Sequence, residues 1–153
     1  GAPLAQGDPS AVEYGGQLYI FYRDASNHVA SISHDPTRHT WTYQDMTAVS
    51  RSPLAKGDPF SIVYPNRMPP LMGNSSMHVL YRDVNDQIAD IAAWSYQNLT
   101  TVVPGAPLAK GDPSALVLAG GDELHVFYPD TNNQVTEVRY SFIARSWFYQ
   151  DLN

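Results

Sequence analysis

Two positions recur three times along this chain with side chains able to share a ligand. Three residues before a repeated tyrosine stand Tyr19, His78 and His125; seven residues after a repeated aspartate stand Ser31, Asp90 and Glu137. The tyrosine and aspartate frame a turn in each case: Tyr22-Arg23-Asp24, Tyr81-Arg82-Asp83 and Tyr128-Pro129-Asp130. An odd-length turn would set the members of each pair opposite one another on neighbouring strands, within reach of one bound molecule. His78 with Asp90, and His125 with Glu137, offer an imidazole beside a carboxylate. Tyr19 with Ser31 offers only hydroxyls and is the weaker pair.

The pattern does not suggest catalysis. Glycoside hydrolysis needs two carboxylates ~5–9 Å apart across the substrate, and each pair holds at most one acid. Ser33-His-Asp-Pro-Thr-Arg-His-Thr-Trp41 begins like a sialidase box but lacks its glycine and is one residue too long. No nucleophile elbow or metalloprotease spacing occurs, so the sequence reads as a non-enzyme. Calcium deserves a trial at Asp24-Ala-Ser-Asn27, Asp83-Val-Asn-Asp86 and Asp130-Thr-Asn-Asn133. The bidentate acid that usually closes a calcium loop is missing, because His28, Gln87 and Gln134 follow. These segments read as hairpin turns, and neither a metal nor another cofactor is expected.

The elements that position these residues are themselves repeated. Gly1-Ala-Pro-Leu-Ala-Gln-Gly-Asp-Pro-Ser10 returns as Gly105-Ala-Pro-Leu-Ala-Lys-Gly-Asp-Pro-Ser114, with a middle copy at Ser52-Pro-Leu-Ala-Lys-Gly-Asp-Pro-Phe60. A later block reads Trp41-Thr-Tyr-Gln-Asp45, Trp94-Ser-Tyr-Gln-Asn98 and Trp147-Phe-Tyr-Gln-Asp151. The 153 residues therefore divide into three units, near 1–50, 51–103 and 104–153. The middle unit carries an insertion over Pro65–Ser76, rich in turn residues and not expected to be strand, and a shortened later hairpin.

Each unit reads as four short antiparallel strands, for example Ser10–Tyr14, Gln17–Tyr22, His28–Ser33 and Trp41–Gln44 in the first. No segment sustains the spacing of an amphipathic helix. Gly-Asp-Pro reads as a structural corner: glycine for a sharp bend, aspartate for a backbone cap, proline for entry into the strand. Arg23–Asp24 and Arg82–Asp83 read as turn-stabilising pairs, and Tyr43, Tyr96 and Tyr149 as core. Two closed all-β architectures suit such units, a β-trefoil from three of them or a β-propeller from more.

The repeated blocks Pro-Leu-Ala-x-Gly-Asp-Pro-Ser, Leu-x-Val-Phe-Tyr-Arg-Asp and Trp-x-Tyr-Gln-Asp-Leu resemble blades of the fungal and bacterial fucose-specific lectin superfamily. The resemblance implies a six-bladed β-propeller, with three four-stranded blades here as half a ring. A two-fold homodimer would close that ring and remove exposed strand edges; the β-trefoil is the alternative. It also implies roles. The residue at the first position and the acid at the second hydrogen-bond sugar hydroxyls, and an aromatic of the adjoining blade stacks on the ring. His125–Glu137 matches best and His78–Asp90 carries a shorter acid, while Tyr19 and Ser31 match neither. Trp41, Trp94 and Trp147 are the candidate stacking faces, with packing between blades as their other reading.

The expected function is thus a multivalent, non-catalytic lectin for fucose-like or other neutral sugars, secreted or extracellular. The competing expectation is a protein-interaction or structural propeller whose His–acid pairs merely hold strands. Composition agrees with either: 43% hydrophobic residues, a net charge of −6 and no cysteine. No basic stripe suits nucleic acid and no apolar stretch suits membrane insertion. Asn74-Ser-Ser76 and Asn98-Leu-Thr100 are glycosylation sequons; the first is the usable one and the second is expected to be coincidental.

Overall fold

The computed structural model describes residues 1–65, 75–118, 120 and 122–153. They form three four-stranded antiparallel sheets, each meandering from one strand to the next. The first holds β1 (Ser10–Tyr14), β2 (Gln17–Arg23), β3 (Val29–Asp35) and β4 (Thr40–Asp45). One-turn helix α1 (Met46–Ser50) leads to the second sheet, with β5 (Phe60–Pro65), β6 (Ser75–Arg82), β7 (Ile88–Ala92) and β8 (Ser95–Asn98). Helix α2 (Leu99–Val102) leads to the third, with β9 (Ser114–Val117), β10 (Glu123–Pro129), β11 (Val135–Ser141) and β12 (Ser146–Asp151).

Local chemistry sets these boundaries. Gly15 and Gly16 turn β1 into β2 with φ of 60° and 78°, values that glycine alone takes without steric cost. The β2–β3 turn is built by Asp24, whose Oδ1 accepts the amides of Ser26 and His28 at 2.8 and 2.9 Å. Asp83 does the same for Asn85 and Gln87, and Asp130 for Asn132 and Gln134. The shortened hairpin of the second sheet is the two-residue turn Ala93-Trp94, with φ of 47° and 62°.

Two helices appear where none was expected. They escape a periodicity test because each is a single turn, started by a capping side chain. Asp45 Oδ1 accepts the Ala48 amide at 2.9 Å, and Asn98 Oδ1 accepts the Thr101 amide at 3.2 Å. The second sequon is therefore a helix cap, and the Asn98 side-chain amide is also bonded to Gln87. Asn74 and most of the Pro65–Ser76 insertion lie outside the described residues. Ser75 and Ser76 correct the expectation for that segment: they are strand, paired with Pro65 and Tyr64.

The core lies between the sheets. Phe21, Tyr19, Val12 and Tyr14 of the first sheet pack on Met77, Val79, Tyr81 and Ile91 of the second. Leu80, Phe60, Ile62 and Tyr64 of the second pack on Leu124, Val126, Tyr128 and Val138 of the third. Each strand alternates sides, so every sheet presents one face to the preceding unit and the other to the next. Burial of these faces, at about 25 cal/mol per Å², holds the sheets together. No helix among the described residues is long and apolar enough to cross a membrane.

Gly-Asp-Pro works differently from the expected corner. Asp58 Oδ2 accepts the Asp8 amide at 2.9 Å, and Asp112 Oδ2 accepts the Asp58 amide at 3.1 Å. A Cβ on Gly7 would stand 1.7 Å from Asp58 Oδ1, and one on Gly57 1.7 Å from Asp112 Oδ1. The glycine is there to admit the next unit's carboxylate, and the aspartate caps an amide of the unit before its own. The arginines likewise bind across units rather than to the adjacent aspartate. Arg23 Nε lies 3.2 Å from Asp58 and Arg82 Nε 3.5 Å from Asp112, while Asp24 and Asp83 are engaged with turn amides.

Candidate functional site

His78 on β6 and Asp90 on β7 are two residues apart in register, since Leu80 faces Asp90 and His78 faces Ala92. The same offset separates Tyr19 from Ser31 and His125 from Glu137. The pairs are therefore diagonal rather than directly opposite, because each five-residue turn sets the register two residues further along. A diagonal still keeps both side chains on one face and within reach of each other.

The second sheet's pair is the most elaborated. His78 Nδ1 lies 3.1 and 3.0 Å from the two Asp90 oxygens, and Gln97 Nε2 donates to Asp90 Oδ2 at 2.9 Å. Since a carboxylate only accepts, Nδ1 carries a proton; Nε2 lies 3.0 Å from Ser76 Oγ, within hydrogen-bond distance. Asp90 is fully buried, a position tolerable because its oxygens are hydrogen-bonded. Ser76, His78, Ala92 and Gln97 line a cleft of about 280 Å³ against Leu124, Tyr140, Phe142 and Trp147 of the third sheet. Tyr140 and Trp147 stand together there, with ring centroids 5.1 Å apart. A polar triad thus faces an aromatic wall across a solvent-open groove.

Gln97 was not singled out in the sequence, although Tyr-Gln recurs in every unit. It lies directly opposite Asp90, as Gln44 lies opposite Ser31 and Gln150 opposite Glu137. Register is what reveals it: the glutamine and the acid are cross-strand neighbours only once β8 is paired with β7.

In the third sheet His125 Nδ1 meets Glu137 Oε1 at 2.6 Å, both buried. Its Nε2 lies 3.3 Å from Glu123 Oε2 but without hydrogen-bond geometry, so that nitrogen is buried and unbonded. No aromatic wall faces this pair within the chain, because no fourth sheet follows among the described residues.

The first pair is different in kind. Tyr19 stacks on Phe21, with centroids 6.2 Å apart and planes at 7°, and its hydroxyl donates to Gln17 at 3.2 Å. Burial, with Tyr14 beside it, pushes its phenol above the usual value. Ser31 is buried and not bonded to Tyr19. The adjoining cleft, about 220 Å³ lined by Tyr14, Met46, Met77, Val79, Ile91 and Trp94, is largely apolar.

The tryptophans are distributed unequally. Trp147 stands in the cleft of His78, and Trp94 lines the cleft between the first two sheets. Trp41 lies against His34, with centroids 4.6 Å apart and planes tilted by 37°, on the outer face of the first sheet, away from every pair in the chain. Tyr43 lies on that face too and is exposed, so it is not core, whereas Tyr96 and Tyr149 are half-buried. No cluster of three metal-binding side chains occurs among the described residues.

No family model and no curated protein sequence matches the chain. Solved structures do. A fucose lectin from Kordia zhangzhouensis, in complex with methyl-fucoside, superposes with a TM-score of 0.63 at 12% identity, over 94% of this chain and 97% of that one. Aleuria aurantia lectin, in complex with Fucα1-6GlcNAc, superposes with a TM-score of 0.67 at 14% identity, over 98% of this chain and 46% of that one. AofleA from Arthrobotrys oligospora gives a TM-score of 0.60 at 15% identity, over 95% of this chain and 41% of that one. The chain thus spans nearly the whole of the first and less than half of the other two. Three four-stranded blades with these neighbours exclude the trefoil, and the chain shares the β-propeller blade fold of these solved lectins.

Proposed function

We propose that this protein is a non-catalytic lectin that binds a neutral, fucose-like monosaccharide in the clefts between its blades. The observation that carries this reading is the His78–Asp90–Gln97 triad facing Tyr140 and Trp147 across an open groove. Sugars present hydroxyls around a ring whose C–H edge is apolar. Planar polar groups fixed in position meet the hydroxyls, and an aromatic face meets the C–H patch. The fold neighbours solved with methyl-fucoside and with Fucα1-6GlcNAc support the choice of sugar class.

The His125–Glu137 pair repeats the polar half of this arrangement, so binding is multivalent. Weak sites facing one glycan-bearing surface gain avidity by simultaneous attachment. A protein of this kind works outside the cell, where such surfaces are presented. The largely apolar cleft between the first two sheets has no His–acid pair beside it and does not take the same sugar.

The competing reading gives the His–acid pairs only the task of holding strands, and the bonds within each pair are what favour it. A glycan array separates the two. Binding to fucosylated or other neutral glycans is expected; no binding to any of them would sink the lectin reading.

A further inference from the structure

Directly across from Tyr19, His78 and His125 stand Ser33, Ala92 and Arg139 on the next strand, and across from these stand Thr42, Ser95 and Phe148. Directly opposed residues share a face, so this row borders the site pair in every unit. It lies two residues along the strand, about 7 Å, from the row of the acid and its glutamine. In the first two units the row offers only small side chains beside the site residue. In the third it offers a guanidinium and an aromatic ring.

The row stands at the cleft mouth in both inner seams. Ala92 lines the groove between the second and third sheets, and Ser95 is exposed although the third sheet packs on the second. Thr42 is exposed although the second sheet packs on the first. Access to Phe148, which is exposed, and to Arg139, which is partly so, therefore belongs to their positions in the blade.

The two side chains are held in place. Arg139 Nη1 donates to the two Glu123 oxygens at 3.3 and 3.5 Å, and its guanidinium carbon stands 5.3 Å from the Phe148 ring centroid, within cation–π range. Glu123 precedes His125 by two residues, and its Oε2 lies 3.3 Å from the buried, unbonded His125 Nε2. Gln17 and Ser76 occupy its place in the other units, where they bond Tyr19 and His78. The third unit thus extends its site pair into a second polar and aromatic group, which the other two lack.

We propose that Glu123, Arg139 and Phe148 form a second subsite in the third cleft, for the sugar unit attached to the one held by His125 and Glu137. This subsite rests on the sugar reading and extends it from a monosaccharide to a disaccharide. Its chemistry is again planar donors and acceptors for hydroxyls, beside an aromatic ring for a C–H patch. The second sugar is neutral. Arg139 brings one positive charge, but Glu123 is paired with it and Glu137 shares its face, so an anionic substituent would meet two carboxylates. The second cleft, with Ala92 and Ser95 in these places, takes the monosaccharide alone, so the two clefts prefer different glycans.

Calorimetric titration of the Asp90→Ala chain, whose remaining His–acid pair is in the third cleft, compares methyl α-L-fucoside with Fucα1-6GlcNAc. The disaccharide should bind about 3- to 10-fold more tightly. Arg139→Ala and Phe148→Ala, each made in that chain and verified by circular dichroism, should bring the two ligands to equal affinity. In the native chain the same preference should appear at one class of site and vanish with either substitution, which makes the test independent of how the Asp90→Ala chain folds. Three results would overturn the subsite and leave the sugar reading standing: monosaccharide binding with no gain for the disaccharide, a gain that survives both substitutions, or no binding by the folded Asp90→Ala chain when the native chain binds. No heat from either ligand on the native chain would overturn both.

Discussion

Asp58 reaches back 50 residues to hold Asp8, its Oδ2 2.9 Å from the Asp8 amide and its Oδ1 in the space a side chain on Gly7 would fill. Asp112 holds Asp58 in the same way. A repeated Gly-Asp-Pro is therefore a clamp from one blade to the next, and the glycine and aspartate of each clamp belong to different units.

Adding a methyl group at this approach should be costly. Gly57→Ala puts a Cβ 1.7 Å from Asp112 Oδ1, and moving that carboxylate forfeits its hydrogen bond to the Asp58 amide and its ion pair with Arg82. A loss of roughly 1–3 kcal/mol is expected, read as a lower urea midpoint. An unchanged midpoint would show that the clamp contributes nothing.

Gln97 should matter to binding although it does not carry the charge. Gln97→Ala leaves Asp90 with His78 as its one side-chain donor among the described residues. Sugar affinity should fall several-fold, by about 3- to 10-fold, less than on removal of Asp90 itself. Calorimetric titration reads this, and equal affinity would remove Gln97 from the site.

The first cleft should be convertible. Tyr19→His with Ser31→Glu places an imidazole and a carboxylate on the same diagonal as in the other two sheets. Calorimetric stoichiometry should rise by one site per chain. An unchanged stoichiometry with the fold intact would mean that the facing wall of Met77 and Trp94, not the missing acid, silences this cleft.

Buried phenols should make the protein sensitive to alkali. Burial first, with Asp122, Tyr140 and Glu123 adding to it, pushes Tyr64 up to about 12, and burial likewise raises Tyr81 and Tyr128. A phenol raised in the folded state leaves stability intact below its unfolded value near 10. That stability is lost as pH rises toward about 12, because the unfolded chain releases its proton first. Absorbance titration should show these phenolates appearing only with unfolding; smooth ionisation of all tyrosines near pH 10 would contradict it.

Much of this was legible in the sequence because repetition multiplies weak signals. One tyrosine followed two residues later by an aspartate is unremarkable, whereas three such pairs in register fix a hairpin and the positions around it. The strands, the Asp24-type turns and the His–acid pairs were all readable in that way. Register was not: the diagonal between His78 and Asp90 depends on where each five-residue turn releases the chain, and Gln97 becomes a neighbour of Asp90 only through it. Contacts between units were equally hidden. Arg23 and Asp24 are adjacent in sequence, so they read as a pair, yet the guanidinium is drawn to Asp58 because Asp24 is already spent on two turn amides. Tyr43 read as core for the same reason, since nothing in one unit's pattern tells which face lacks a neighbour.

The central claim is that the His–acid pairs bind sugar, and calorimetric titration with methyl α-L-fucoside tests it most directly. The native chain and the variant carrying Asp90→Ala with Glu137→Ala are compared at equal concentration, with circular dichroism to verify the β fold of each. Saturable heat from the native chain and none from the folded double variant is the predicted result. Equal binding by both proteins, or no binding of this sugar by the native chain, would contradict the account.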